Sequence, residues 1–115
     1  MIIYHNPRCS KSRQTLALLR ENGADPKVVE YLKNPLSSAE IRVIQQKLGS
    51  AVTQLVRTKE PLYKELGLKG QTLSLDEIAQ VLSEHPKLIE RPIVVTENRA
   101  VLGRPPENVL VLLSS

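Results

Sequence analysis

The chain has 115 residues, of which 41% are apolar and 24% charged, with a net charge of +4 and a single cysteine. That is the size and make-up of one ordinary globular domain, and no apolar run approaches the roughly 18 residues that would span a bilayer. One cysteine excludes an internal disulfide scaffold, and three tyrosines without Phe or Trp leave an aliphatic core with almost no platforms on which bases could stack.

The opening "MIIYHNPRCS" turns polar too soon for a secretory signal, and with the cysteine count it predicts a cytoplasmic protein in a reducing compartment. Residues 1–4 read as a buried first strand, ended by the turn-forming "HNP". From Ser12 the apolar residues Leu16, Leu18 and Leu19 follow a helical pattern that stops at Asn22-Gly23. Residues 27–32 ("KVVEYL") read as a second strand, so the first third is strand, helix, strand, the pattern of a parallel pair.

The middle is helical. Ser37 with Glu40 forms a capping box that opens a helix through about Leu48, closed by Gly49. A short helix is expected over Ala51–Arg57 and a compact helical turn in "EPLYKELGL". Ser74 with Glu77 is a second capping box, for a helix to about Glu84 before Pro86. "IVV" and "AVL", joined by the polar "TENR", predict a hairpin. Residues 106–113 suit a closing helix with Pro at its first position, and their β-branched content keeps a strand open. The expected architecture is α/β, β-α-β then β-β-α, with a helical insertion at about 35–85 between the halves of a single domain, 1–115.

Cys9 lies between a strand end and a helix start, where free backbone N–H groups and the positive end of the helix dipole favour an anion. An ordinary thiol, with a pKa near 8.5, is only about 3% thiolate at pH 7, and the thiolate is the reactive form. "PRCSKSR" is too polar for a core segment, so an exposed, functional thiol is expected. His5, Arg8, Lys11 and Arg13 add positive or polarisable groups, and Ser12 could donate to the sulfur or cap the helix. Cys9-Ser10-Lys11-Ser12 is a C-x-x-S, the one-thiol counterpart of C-x-x-C. The phosphatase spacing of Cys to Arg fails because residue 15 is Thr. One Cys with His5 and His85 makes no metal site.

Arg91-Pro92 and Arg104-Pro105 bracket the hairpin. Either arginine alone reads as a solvated charge. Together with a helix N-terminus that receives anions, the two suggest convergence on an oxyanion, which planar guanidinium groups bind bidentately. Arg57 is a third candidate, although a cation at a helix end reads nearly as well locally.

Nearly all of residues 2–113 resembles the glutaredoxin-dependent arsenate reductase family, which is thioredoxin-like with a helical insertion. The carriers are "YHNPRCSKSRQTL", "LVRTKEPLYKELGL", "HPKLIERPIVV" and "LGRPPENVL". The resemblance implies Cys9 as nucleophile, His5 as the histidine that tunes it and Ser12 as the hydroxyl at the helix start. It implies Arg57, Arg91 and Arg104 as oxyanion binders and Pro92 as a cis proline. It further implies no bound cofactor, with glutathione as reductant and glutaredoxin as partner, and arsenate reduced to arsenite through an adduct on Cys9. Gly103 departs from members that carry a cysteine there. The alternatives are a thioredoxin-like regulator that binds RNA polymerase, a thiol oxidoreductase of the same fold with another substrate, and a nucleic-acid-binding module. The last is disfavoured by the scarce aromatics and the modest charge.

Overall fold

The computed structural model describes residues 1–113. Two compact units divide the chain: one joins Met1–Asn34 to the segment from Arg91 on, and the other is Pro35–Glu90.

The first unit holds a four-stranded mixed sheet. Its strands are β1 (Ile2–His5), β2 (Lys27–Glu30), β3 (Ile93–Val95) and β4 (Ala100–Leu102), in the order β2-β1-β3-β4. β1 runs parallel to β2, with Ile3 opposite Val28, and antiparallel to β3, with Ile3 opposite Val94. β3 and β4 form the expected hairpin, with Val94 opposite Val101. The two central strands carry the apolar runs because both their faces are covered. Ile3 and Val94 are fully buried, and they meet Leu16 and Leu19 of helix α1 (Ser10–Glu21) and Val109 in one core cluster.

α1 ends as its Asn-Gly signal predicts. Gly23 takes φ +85°, and the Ala24 N–H returns to the Leu19 carbonyl at 2.9 Å, which satisfies carbonyls left open at a helix C-terminus. β2 is shorter than the sequence suggests. Its chain turns at Tyr31, and the N–H groups of Lys33 and Asn34 both bond the Glu30 carbonyl at 3.0 Å. The closing segment Pro106–Leu113 is a 3₁₀ helix packed on α1 and β4, so the helical reading stands over the strand.

The second unit contains α2 (Ser38–Leu48), α3 (Pro61–Glu65) and α4 (Leu75–Glu84). Both predicted capping boxes are present, with Ser37 and Glu40 reciprocally bonded at 3.1 Å each and Ser74 and Glu77 at 2.9 and 3.1 Å. α2 and α4 pack together, burying Ile41, Ile44 and Leu48 from one and Ala79 and Leu82 from the other. The buried Gln45 is satisfied by Arg42 at 2.7 Å and the Leu75 carbonyl at 3.0 Å.

One helix assignment is corrected. Residues 51–57 do not form a helix ending at Arg57. A 3₁₀ turn covers Gly49–Gln54, and the chain then extends so that Val56 pairs with Ile89 in an antiparallel bridge. The Arg57 N–H bonds the Leu88 carbonyl at 2.8 Å, and the Glu90 N–H bonds the Leu55 carbonyl at 2.7 Å. These cross-links use backbone groups that a helix would have used internally. No helix among the described residues is long and apolar enough to cross a membrane.

Candidate active site

The site is built where β1 hands over to α1. After His5 the chain turns through Asn6-Pro7-Arg8: the Asn6 side chain accepts from the Arg8 N–H at 3.0 Å, and the Asn6 carbonyl accepts from the Cys9 N–H at 3.0 Å. The Arg13 guanidinium donates to the Pro7 carbonyl at 2.9 Å and closes the loop. Cys9 is the residue immediately before α1, with extended backbone at φ −91° and ψ 122° and no side-chain cap. Its sulfur therefore faces the first-turn N–H groups of Lys11 and Ser12, which hydrogen-bond it.

Cys9 is 9% exposed, not the open thiol that its polar neighbours suggest. Arg8 and Ser10 point to solvent while the sulfur turns inward. Burial pushes the thiol up. The Ser12 N–H, the Arg91 charge, the Lys11 N–H and the Arg104 guanidinium together outweigh it, and the pKa falls below its ordinary value. The helix donors are those anticipated, whereas the cations are the hairpin arginines Arg91 and Arg104 in place of the chain neighbours His5, Arg8, Lys11 and Arg13.

His5 and Ser12 are both buried, and His5 Nδ1 lies 2.6 Å from Ser12 Oγ. The Asn6 N–H donates to the same hydroxyl at 3.0 Å. Ser12 thus neither caps α1 nor donates its hydroxyl to sulfur; it sits within the first turn and ties that turn to β1. Burial lowers the His5 pKa, with Glu30 opposing and Arg20 and Arg13 reinforcing. This favours the neutral imidazole, which the Ser12 hydroxyl ties to the first turn of α1.

The two hairpin arginines converge as expected. Arg104 Nη1 lies 3.9 Å from Cys9 Sγ and donates to the Arg91 carbonyl at 3.0 Å, while the Arg91 charge acts on the thiol. The model of the ArsC family matches residues 4–112.

The chain belongs to the ArsC family.

Two curated relatives match it over nearly the whole of both chains. The arsenate reductase of Haemophilus influenzae is 51% identical over 114 residues, 98% of either chain. The uncharacterized protein YfgD of Escherichia coli K12 is 52% identical over 112 residues, 96% of this chain and 94% of that one. Among solved structures, an arsenate reductase from Vibrio cholerae superimposes with a TM-score of 0.90 at 52% identity, covering 96% of this chain and 94% of its own. The resemblance drawn from the sequence motifs is therefore a family membership.

Within this ArsC-family chain the peptide bonds before Pro92 and Pro105 are both cis. The first was implied by resemblance; nothing in the sequence signalled the second. Two further contributors were not singled out for this role. Thr15 is fully buried and donates to the Lys11 carbonyl at 2.8 Å. Gly103, whose N–H bonds the Pro92 carbonyl at 3.0 Å, comes so close to α1 that a Cβ would lie 2.5 Å from Thr15 Oγ1 and 2.8 Å from Pro92 Cγ. A glycine preceding an arginine has no local signal for this; only the strand order reveals it.

Arg57 lies in the second unit. Its guanidinium donates to the Lys87 carbonyl at 3.1 Å and pairs with Glu60 at 3.2 Å. Among the described residues no group of three or more His, Cys, Asp or Glu could hold a metal ion. The chemistry available at Cys9 is that of a nucleophilic thiolate beside guanidinium groups that attract oxyanions.

Proposed function

We propose that this chain reduces arsenate to arsenite, with Cys9 as the nucleophile and glutathione and glutaredoxin supplying the electrons. The observation that carries the reading is a lone thiol whose pKa is lowered, against its burial, by helix N–H groups and two arginines, with Arg104 3.9 Å from its sulfur. The guanidinium groups of Arg91 and Arg104 hold the arsenate dianion next to the sulfur, and Arg57 is the third oxyanion ligand. His5 and Ser12 orient the first turn of α1 and so keep its N–H groups on the thiolate. The β-α-β and β-β-α halves make a single thioredoxin-like domain around the helical insertion, working in the cytoplasm.

The Cys9 thiolate attacks arsenic, an As–O bond breaks, and the oxygen leaves as water after protonation. Cys9 now carries arsenic(V) through an S–As bond. Thiols then provide the two electrons. One glutathione replaces a second oxygen on arsenic, which leaves as water, and attack of a further thiolate on that glutathione's sulfur breaks its S–As bond, forms a disulfide and leaves the electron pair on arsenic, now arsenic(III) and still bonded to Cys9. Hydrolysis releases arsenite and restores Cys9. In sum, arsenate and two thiols give arsenite, one disulfide and water.

The test is arsenite formation with glutathione and glutaredoxin, beside a Cys9→Ser control. Turnover lost in the variant supports the reading. Absence of turnover by the intact protein, with the thiol still reactive, would reassign the site to another substrate of a thiol oxidoreductase.

A further inference from the structure

Glu60, a carboxylate of the second unit, holds two cations at once. Its Oε2 pairs with Arg57 at 3.2 Å and its Oε1 with Lys87 Nζ at 3.2 Å, and its side chain is only 12% exposed. The second arm of the Arg57 fork donates to the carbonyl of the same Lys87 at 3.1 Å. The backbone is fastened at the same place, because the Arg57 N–H bonds the Leu88 carbonyl at 2.8 Å and Val56 bridges to Ile89. An arginine side chain ordinarily samples many rotamers, and fixing it costs entropy at the moment of binding. Here that ordering is done in advance by Glu60 and by the Lys87 carbonyl. The two contacts occupy part of the guanidinium fork and leave its other N–H donors for a ligand.

We propose that Glu60 is a positioning residue for oxyanion binding, acting through Arg57 and itself held by Lys87. The inference rests on the reading of Arg57 as an arsenate ligand. Removing the Glu60 carboxylate has two opposed effects. It frees the guanidinium to wander, which weakens arsenate binding. It also raises the local positive potential, which strengthens it. Because a planar fork binds an oxyanion only in register, the positional effect is the larger, and the sign of the change decides between them.

The experiment is a double-mutant cycle of Glu60→Ala and Arg57→Ala, read as KM for arsenate and kcat separately, with glutathione and glutaredoxin saturating and thermal unfolding measured alongside. Glu60→Ala should raise KM for arsenate about five- to tenfold with little change in kcat, a size within the usual range of coupling between contacting residues. Glu60→Asp should recover part of the loss. In the Arg57→Ala background the Glu60→Ala change should add almost nothing, because the group it positions is gone. An unchanged or lower KM in Glu60→Ala, or the same loss whether or not Arg57 is present, would overturn the proposal while leaving arsenate reduction standing. If Arg57→Ala itself leaves arsenate kinetics untouched, Arg57 is no ligand and Glu60 positions nothing, yet turnover by the intact protein would still show the reaction.

Discussion

Among single residues, the ionisation of Cys9 governs the site. Its alkylation by iodoacetamide, followed against pH, should show an inflection below the ordinary value of about 8.5, because helix N–H groups and two arginines favour the thiolate despite burial. Arg104→Ala should move that inflection upward, and His5→Ala should move it in the same direction through Ser12. An inflection at 8.5 or above in the intact protein would contradict the site as described. The same shift has a sign in stability. A thiol whose folded pKa lies below its unfolded pKa stabilises the fold fully above the unfolded value, and that contribution is lost as pH falls through the folded one. Denaturation of the intact protein and of Cys9→Ser should therefore diverge as pH rises toward about 8.5 and run parallel beyond it. Of the first-unit candidates, Cys9 was legible from its place between a strand and a helix, and Arg91 with Arg104 from bracketing a hairpin, whereas the roles of His5 and Ser12 came only from the family resemblance. What could not be read was orientation. The polar neighbours of Cys9 say nothing of a sulfur turned inward, and Ser12 looks like a cap until its hydroxyl is found on His5 and Asn6.

At the scale of elements, the signals that worked were those whose chemistry is local. Both capping boxes were visible because Ser and Glu three residues apart satisfy each other's backbone, and removing one tests their share. Ser37→Ala and Ser74→Ala should each cost about 1 kcal/mol of stability in urea denaturation, with the thiol inflection unmoved; a loss near zero would mean that packing of α2 on α4 alone sets those helix starts. Leu19→Ala, in the core of the first unit, should cost about 2–5 kcal/mol because the cavity cannot collapse between strand and helix. The element misread was the one whose hydrogen bonds run to a distant segment. "AVTQLVR" has a helical pattern, but Val56 and Arg57 bond with residues 88 and 89, a pairing no window of seven residues contains. The close approach of Gly103 to Thr15 was hidden for the same reason, being a contact across 88 positions of sequence.

In the molecule as a whole, the proposed two-electron reduction by a chain with one thiol requires borrowed electrons. Disulfide exchange needs an incoming thiolate with access to the reacting sulfur, and Cys9 is the only cysteine in the sequence. No internal disulfide forms for thioredoxin to reduce. The most direct measurement is steady-state formation of arsenite from arsenate by the intact protein and by Cys9→Ser, with glutathione plus glutaredoxin in one series and thioredoxin with its reductase in another. Repeated turnover is expected only from the intact protein and only with glutathione present, glutaredoxin raising the rate. Efficient turnover with thioredoxin as the sole thiol source, or arsenite from the Cys9→Ser protein, would contradict this expectation.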